Sequence, residues 1–397
     1  RQRQMCIRDS PQLETWRAGS EDSPPAESRI ISRGEYVPVR NLGVESIYPT
    51  VLGYKDSGSL GLKAVFSDPL RFDVLSVGAA YSLDSDLPSD ERPNLSIDYK
   101  HTAISASPLA GTWHLGARLN YADFYDLFGP TKMSRKGQRY FVGYDKTLLF
   151  DEPRRLALST ELNHYRDMDA LPRYQNVATT FDRLTSLDAY LSYEHVRRSL
   201  GAVDDEKGFR WNIGTTVTQV DGDTIPKLLG DFDFGFALPW RHSSIWLRSA
   251  AGGAFGETDD EFANFYFGGF GNNYVDRGEV KRYREFHALP GFELNAIPGR
   301  NFYRGTLEVN LPPIRFERVG TSKFYLSWAR PALFASALVT NLDNASIRNN
   351  ARNVGIQVDF QFTVMSRFDM TLSTGFAKGY GEGSFTDDEF LISLKIM

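Results

Sequence analysis

The sequence predicts an all-β fold, a sixteen-stranded antiparallel transmembrane β-barrel with a long loop that folds into the lumen. Three observations lead to this fold class. Apolar and polar residues alternate along most of the chain, which is typical of strands with one apolar face. No run approaches the roughly 20 apolar residues of a membrane helix. Most alternating runs have about 9–13 residues, which suits tilted membrane-spanning strands better than the shorter strands of soluble proteins.

The composition narrows the range of functions. The chain has 397 residues, a formal net charge of −5 and 41% hydrophobic residues, with a mean hydropathy of −0.36. A single cysteine excludes a disulfide framework and a cysteine-based zinc site. The mild acidity and the lack of a block of Lys and Arg argue against nucleic acid as a partner. We therefore expect an ordered protein that displays its apolar residues by alternation.

The beginning of the chain differs from the rest. Residues 1–10, RQRQMCIRDS, contain the one cysteine and are predicted to be a non-native tail. Residues 11–44 are polar and rich in Pro, Ser and Glu, so they are predicted to be a linker that buries too little apolar surface to fold alone. The barrel is predicted to occupy residues 45–397. We expect the chain to be a fragment of a larger protein, with a domain and any export signal lost upstream.

Alternation defines each predicted strand. The clearest run places Val354, Ile356, Val358, Phe360 and Phe362 on one face. A helix would instead need apolar neighbours three and four residues apart. The sixteen predicted strands are 46–54, 59–67, 72–82, 93–101, 112–122, 137–147, 155–165, 185–197, 208–219, 228–239, 243–255, 302–312, 322–335, 353–365, 367–378 and 388–397.

The predicted connections differ in length according to the rim on which they lie. Connections after odd-numbered strands are often long, and those after even-numbered strands are mostly short, which is typical of outer-membrane barrels. An even number of strands then places both termini at the short-turn rim, which is periplasmic. The long connections are 83–92, 123–136, 166–184, 256–301 and 336–352, and short ones include 68–71, 240–242 and 365–367.

Aromatic residues and the last strand fit the same architecture. Tyr and Trp recur at the ends of the runs, as in the aromatic girdles of membrane barrels, and Trp246 is one example. The final strand places Phe390, Ile392, Leu394 and Ile396 on one face. A terminal strand of this kind is expected to pair with the first strand and suits a carboxyl-terminal assembly signal.

The polar face of the predicted strands carries many charges. Asp231, Asp233, Glu308 and Asp359 are predicted to line the wall of an aqueous lumen, where charges keep their hydration. On the lipid side each Arg or Lys would cost about 2–4 kcal/mol at the bilayer midplane. We therefore expect the charged face to point into the lumen and the apolar face to point toward the lipid. The alternative is a soluble β-protein whose charges face bulk water.

The connection 256–301 is rich in aromatic residues and glycine. Because so many aromatic side chains are poorly placed in open solvent, we predict that the loop packs on the inner wall and narrows or plugs the pore. An extracellular loop that packs on itself is the alternative. The loop residues predicted to matter are Gly268, Gly269, Phe270, Gly291, Phe292 and Arg300.

Motifs of catalysis and metal binding are missing from the sequence. It has no His-Glu-x-x-His, no Gly-x-Ser-x-Gly and no phosphate-binding Gly-Lys-Ser/Thr loop, and its six histidines lack metal-ligand spacing. Glu161 and Glu194 lie on neighbouring predicted strands and could pair as acid and base, but no Ser–His pair accompanies them. The cluster Asp204, Asp205 and Glu206 is predicted to be a solvated turn rather than a cation site. We expect no enzyme activity, no cofactor and no metal.

Several motifs carry a resemblance to a known family. They are GLKAVFSDPL at 61–70, FGGFG at 267–271, LPGF at 289–292, and GR at 299–300 before a strand that ends LEVNLP at 307–312. From about Tyr48 to Met397 the chain resembles the bacterial surface antigen barrel, the sixteen-stranded fold of outer-membrane assembly factors and two-partner secretion translocators. The resemblance implies protein assembly or translocation at the bacterial outer membrane, with membrane lipid and protein cargo as partners.

A narrower resemblance rests on three further phrases, DLFGPTK at 126–132, YDKT at 144–147 and GAVDDEKG at 201–208. They are similar to barrels at the C-terminus of proteins with a WD40-like, TolB-type propeller. This likeness implies a second role, in which the barrel anchors a periplasmic propeller domain to the outer membrane.

One position departs from the family pattern. The family's long loop typically carries Val-Arg-Gly-Phe or Val-Arg-Gly-Tyr, whose arginine reaches into the lumen, whereas LPGF at 289–292 lacks it. Arg284 and Arg300 are the candidate substitutes. The missing arginine weakens the argument for translocase activity but does not change the prediction of a barrel. A passive porin and a soluble all-β enzyme or binding module are the alternative functions.

Overall fold

The structure is a computed structural model and describes the larger part of the chain. The predicted tail 1–10, residues 11–33 of the predicted linker, the predicted connection 123–136 and most of 166–184 lie outside the described residues. The described ranges are 34–54, 57–103, 107, 109–120, 137–167, 182–256, 261–270, 275–276, 280–381 and 388–396.

The described residues form twenty-one strands, nineteen of which belong to one sheet. Sixteen strands have eight or more residues, and each long strand pairs antiparallel with the next long strand along the chain. The strands are β1 Gly43–Tyr54, β2 Ser57–Ser67, β3 Asp73–Ser82, β4 Pro93–Thr102, β5 Thr112–Leu119, β6 Gln138–Asp151, β7 Arg154–Arg166, β8 Arg183–Arg197, β9 Lys207–Val220, β10 Asp223–Ala237, β11 Ser244–Ala254, β12 Phe265–Phe267, β13 Val275–Asp276, β14 Ile297–Gly299, β15 Asn301–Asn310, β16 Ile314–Arg315, β17 Gly320–Thr321, β18 Phe324–Thr340, β19 Asn349–Val364, β20 Phe368–Gly381 and β21 Asp388–Ile396.

Helical structure in the described ranges is limited to short 3₁₀ turns at Pro38–Asn41, Glu261–Ala263 and Arg282–Arg284. None of the helices in the described part of the chain is long or apolar enough to cross a lipid bilayer.

The two largest differences from the predicted strand positions, five residues each, are the end of β18, at Thr340 rather than 335, and the start of β10. This strand begins at Asp223 rather than at 228, because Asp221 and Gly222 both have positive φ and form a two-residue turn. Asp-Gly is a strong signal for such a tight hairpin. Pro226 lies within β10 in the structure, but in a prediction from the sequence a proline argues against a central strand. The alternating pattern therefore placed the start of β10 too late.

The two faces of the sheet have opposite chemistry. On β10, Phe232, Phe234 and Phe236 are exposed, whereas Asp233 between them is buried. We name the exposed, apolar side the outer face and the buried, polar side the inner face. This arrangement is the reverse of a soluble protein core, in which the buried side is apolar. Buried polar residues of the inner face include Arg248, Arg304, Thr306, Glu308, Asn310, Arg330, Ser336, Asn353, Gln357 and Asp359.

The connections between long strands form two rims, because each long strand runs antiparallel to the next. The short-turn rim includes 68–72, the described residues of 103–111, 152–153, 198–206, 238–243, 311–323 and 365–367. The described connections of the long-loop rim include 83–92 and 341–348, and the two-residue turn 221–222 is a short exception. Tyr36 donates a hydrogen bond to Asp68 at 2.6 Å, so the segment before β1 is attached to the short-turn rim.

The sheet has free edges at its first and last long strands. In the described ranges no pairing joins β1 to β21. Instead, Val275 and Asp276 of β13 pair in parallel with Leu394 and Lys395 of β21. The expected pairing of the last strand with the first is therefore not present, and the sheet is open between them. We name this gap the seam.

Candidate functional site

The described residues of the connection between β11 and β15 fold back onto the inner face of the sheet. Its β12 and β14 pair antiparallel, with Phe265 opposite Gly299. A further bridge joins Gly269 to Leu289. These pairings create two arms held side by side, and we name the described residues 261–299 the inner loop.

Aromatic rings of the inner loop pack against rings of the sheet. Phe267 contacts Phe302 of β15, with ring centroids 4.7 Å apart. Tyr283 stacks on Phe334 of β18 at 4.1 Å, and Phe270 meets the same ring edge-to-face at 6.2 Å. All three loop rings are at most 1% exposed. Burial of a side chain of this size contributes about 1.5–3 kcal/mol, so these contacts favour a docked loop.

A glycine and a carboxylate attach the inner loop to the last two strands. Gly291 has a φ of +89°, and a Cβ at this position would collide with the backbone of Gly379 on β20, so the position requires glycine. The backbone N–H groups of Phe270 and Gly291 donate to the two carboxylate oxygens of Glu389 on β21, each at 2.9 Å. Both arms of the loop therefore contact a strand that borders the seam.

A buried charge cluster joins the inner loop to the sheet. Glu308 of β15 is fully buried, and its carboxylate accepts two hydrogen bonds from the Arg284 guanidinium, at 2.6 and 3.0 Å. Arg248 of β11 donates to the same carboxylate at 2.8 Å and also pairs with Asp233 of β10. Two-pronged arginine–carboxylate pairs are among the strongest hydrogen bonds in proteins. One carboxylate thus connects the loop with two neighbouring strands.

Asp204, in the turn between β8 and β9, extends the charge cluster from the short-turn rim. Its carboxylate lies 2.6 Å from Arg284 Nη2 and 3.2 Å from Arg330 Nη1. Arg330 of β18 in turn bonds Asp359 of β19 at 3.0 Å. Although burial alone would raise the pKa of Asp204, the Arg284, Lys281 and Arg330 charges lower that pKa well below its usual range. The turn is therefore an ion-pair partner of the loop rather than a solvated acidic segment.

Lys281 is a fully buried amine in the same cluster. Its Nζ contacts Asn310 and lies 3.5 Å from Asp204 and 3.6 Å from Glu308. Burial and the neighbouring Arg284 lower the pKa of this amine to about 7. Lys281 is thus a cluster member whose charge changes near neutral pH. The basic members of the cluster are Arg210, Arg248, Lys281, Arg284 and Arg330, and the carboxylates are Asp204, Asp233, Glu308 and Asp359.

A cavity of about 330 Å³ lies beside the charge cluster. Arg304 of β15 lines it and donates to the backbone carbonyls of Tyr283 and Glu285, each at 2.6 Å. Asp231 also lines the cavity and is half-buried. The Arg304 side chain therefore holds the inner loop by its backbone, and the polar lining leaves space that suits water.

The structure brings most of the predicted site residues together. Arg300 is an exception: it lies at the long-loop rim, is one-third exposed, and pairs with Asp343. Of the two candidate substitutes for the family's loop arginine, Arg284 reaches the inner face and Arg300 does not. Gly268, Gly269, Phe270, Gly291 and Phe292 are buried in the inner loop, and Asp233, Glu308 and Asp359 belong to the charge cluster.

The predicted terminal-strand residues lie along the edge of the sheet. Phe390 and Ile392 are exposed on the outer face, at 65% and 48%, and Leu394 is half-buried beside β13. Ile396 is the last residue of β21 and pairs with Met370 of β20.

Three of the five cations of the cluster, Arg248, Lys281 and Arg330, were not identified from the sequence. Arg248 and Arg330 are isolated polar residues of single strands, and which charges they meet depends on strand register, which alternation does not determine. Trp246, expected in an aromatic girdle, is 1% exposed on the inner face and lies between Arg210 and Arg248. Its burial follows from an inward position on β11.

The arrangement holds and positions the inner loop on the inner face. Within the described ranges, no group of three His, Cys, Asp or Glu side chains could hold a metal ion. The acid–base pairing considered for Glu161 and Glu194 is not formed, because strand register places Glu161 opposite Asp188 and Glu194 opposite Arg155. What the geometry supplies is a loop fixed to a polar wall by buried ion pairs, next to an open seam.

Similarity to known proteins is confined to structure. No known protein family matches the chain, and no curated protein sequence matches it. The structure is similar to BamA from Haemophilus ducreyi lacking POTRA domains 1–3, with 15% identity and a TM-score of 0.50 over 89% of this chain and 69% of that one. CdiB from Escherichia coli matches with 13% identity, a TM-score of 0.46, and coverage of 92% and 63%.

CdiB from Acinetobacter baumannii matches with 11% identity, a TM-score of 0.42, and coverage of 89% and 59%. The chain thus spans less than two thirds of either CdiB chain. At these identities the likeness to BamA describes the fold alone. The chain has an all-β fold of the outer-membrane barrel type that BamA shares.

Proposed function

We propose that the protein is a bacterial outer-membrane β-barrel that assembles or translocates other proteins. The observation that carries the proposal is the open seam between β1 and β21. In lipid, each unsatisfied backbone group costs several kcal/mol, so a passive pore gains nothing from an open edge. An open strand edge is suited to pair with an extended segment of another chain.

In this proposal the sixteen long strands form the barrel wall in the membrane. The outer face contacts lipid, and the inner face, including Asp231, Asp233, Glu308 and Asp359, lines an aqueous lumen that the inner loop narrows. Both termini lie at the short-turn rim, which is periplasmic, because short periplasmic turns and longer external loops are the rule in such barrels. The exposed alternating apolar residues support this orientation of the faces.

The inner loop has a specific role at the seam. Its β13 covers only two residues of β21, and each hydrogen bond contributes about 0.5–1.5 kcal/mol net. A client strand that pairs along more of the nine residues of β21 would therefore displace β13. The Glu389 carboxylate and the charge cluster keep the rest of the loop in place meanwhile. No catalytic step is assigned to the chain.

The resemblance to propeller proteins supports a second role, anchoring a periplasmic domain. The structural observation that favours it is the Tyr36–Asp68 hydrogen bond, which attaches the segment before β1 to the short-turn rim. A domain upstream of this segment would be held at the periplasmic rim, close to the barrel entrance.

A cross-link across the seam tests the assembly role. In a Cys6→Ser background, Val51→Cys on β1 and Phe390→Cys on β21 would be joined by a short bismaleimide after reconstitution into vesicles. Without the cross-link we expect the protein to accelerate the insertion of an unfolded outer-membrane barrel, and with it we expect that acceleration to be lost. Each single-cysteine variant treated with the same reagent is the control.

Conductance distinguishes a passive porin from the proposed function. A large, steady conductance in planar bilayers that is unchanged by deleting residues 256–301, together with no effect on client insertion, would contradict the assembly proposal and favour a porin.

A further inference from the structure

We infer that the short-turn rim carries a binding site for the phosphate group of an anionic lipid. The site is the cleft of about 410 Å³ between the turn 198–206 and the turn 238–243. We name it the rim cleft. The inference rests on the proposed membrane location, and it goes beyond the proposed function because it assigns a ligand to a region that neither the seam nor the inner loop occupies.

The rim cleft has an excess of positive charge. Its single lining carboxylate, Glu206, is already engaged: it accepts a backbone N–H at 2.7 Å and lies 3.4 Å from His242. Within the described part of the chain, Arg197, Lys207 and Arg241 have no carboxylate within 4 Å. Three uncompensated cations around one cleft create a local positive potential that attracts an anion. The basic lining residues are Arg197, Arg198, Lys207, Arg241 and His242.

The residue types favour phosphate over a simple carboxylate. Two of the three uncompensated cations, Arg197 and Arg241, are arginines, whose planar forks match the spaced oxygens of phosphate. A third arginine, Arg198, already pairs with Asp205 at 3.4 Å. Lys207, at the start of β9 and opposite Arg197 in the strand register, adds a compact charge from the neighbouring strand. A phosphodiester presents several oxygens and so can be contacted from both turns at once.

Two exposed apolar side chains indicate a lipid as the source of this phosphate. Trp240, which lines the cleft, is 63% exposed, and Leu200 in the facing turn is fully exposed. Trp is enriched at membrane interfaces, where its ring lies at headgroup level. Phe236 lies near the end of β10, four residues before Trp240 in the sequence, and is 55% exposed on the outer face. The cleft therefore lies where the apolar outer face ends and lipid phosphates begin.

Native mass spectrometry of the protein in detergent tests the site with dioleoyl-phosphatidylglycerol as the probe. We expect the double variant Arg197→Gln/Arg241→Gln to bind this lipid about 25-fold more weakly, because each cation near an anionic lipid surface contributes about fivefold. The matched control is Arg318→Gln/Arg367→Gln, which removes two exposed cations from the same rim outside the cleft. We expect its binding to remain within about twofold of the parent.

Three outcomes would overturn the inference. The first is an equal loss of lipid binding in the two double variants. The second is unchanged lipid binding in both the cleft double variant and Lys207→Gln. The third is displacement of the lipid by an equal concentration of inorganic phosphate, which would indicate a site for free anions. Heat-modifiable gel mobility of each variant shows that it is folded. If the parent protein itself lacks that mobility, the membrane proposal fails, which is distinct from failure of the lipid site alone.

Discussion

At the scale of single residues, Glu308 is the most heavily paired of the carboxylates that join the inner loop to the sheet. It is fully buried and contacts Arg248, Lys281 and Arg284. Removing charges from water costs several kcal/mol per ion, and this cost is recovered only where the geometry is good and every partner is present. The cluster is therefore sensitive to the loss of any one member.

Removing Arg284 should destabilise the protein strongly. Arg284→Met leaves the buried Glu308 carboxylate without its two-pronged partner and should lower the free energy of unfolding by about 3–5 kcal/mol. The measurement is guanidinium unfolding in detergent micelles, followed by tryptophan fluorescence.

Arg300→Met is the matched control, because it removes the same kind of side chain from the exposed pair with Asp343. Exposed pairs contribute about 0–1 kcal/mol, so we expect little change. Equal destabilisation by the two substitutions would contradict the assignment of Arg284 as the loop arginine that reaches the inner face.

Two members of the cluster should make the stability of the protein rise with pH, each in a different pH range. The pKa of Asp204 is lower in the folded protein than in the unfolded chain, so its contribution to stability is present above about pH 4 and is lost as the pH falls through the folded value. The pKa of Lys281 is about 7 when folded against 10.5 when unfolded. The buried amine therefore lowers stability below pH 7, and this penalty is relieved as the pH rises toward 10.5.

We expect the unfolding midpoint of the parent protein to rise, relative to that of Lys281→Met, between pH 7 and 10. The measurement is the midpoint guanidinium concentration at several pH values. Lys281→Arg, which keeps a permanent charge, should show the lowest stability at high pH. A difference between the parent and Lys281→Met that does not change with pH would contradict the assigned pKa.

At the scale of elements, alternation located the long strands but not their contacts. The phenylalanines of β10 identify its outer face from the sequence alone, whereas the meeting of Arg248 with Asp233 and Glu308 depends on the register of three strands. The aromatic content of 256–301 indicated a packed loop. Which surface it packs on depended on long-range contacts such as that of Glu389 with both arms, and sequence spacing does not contain this information.

Glu389 should hold the inner loop against β21. Glu389→Gln replaces one acceptor oxygen with an amide N–H₂ group that cannot accept the N–H of Phe270 or Gly291, so one of the two hydrogen bonds is lost. The cost is expected to be about 1–3 kcal/mol of docking stability. Hydrogen exchange of the backbone amides of Phe270 and Gly291 measures this directly, and both should exchange faster.

Glu285→Gln is the control for this prediction, since Glu285 lies in the same loop but its side chain pairs with His287 rather than with a strand. It should leave the exchange of both amides unchanged. Slow exchange at both positions in Glu389→Gln would show that the carboxylate does not hold the loop.

At the scale of the whole molecule, the feature best predicted from the sequence is the opposite chemistry of the two faces. Period-two alternation determines which residues share a face, and the cost of placing charges in lipid determines which face is outside. Closure was not predictable, because the strand at the edge of a sheet has the same alternation as a central strand. In the described ranges the edge of β21 pairs with two residues of β13 and not with β1.

The central claim, that the outer face contacts lipid and the inner face contacts water, is tested most directly on β10. Nitroxide labels would be placed at Phe232, Phe234 and Phe236 and at Asp231, in a Cys6→Ser background, and their accessibility to oxygen and to a water-soluble nickel chelate would be measured in lipid vesicles. We predict preferential oxygen access at the three phenylalanine positions and preferential access of the nickel chelate at Asp231. Equal access of the nickel chelate at all four positions would show that both faces lie in water, and would contradict the membrane barrel.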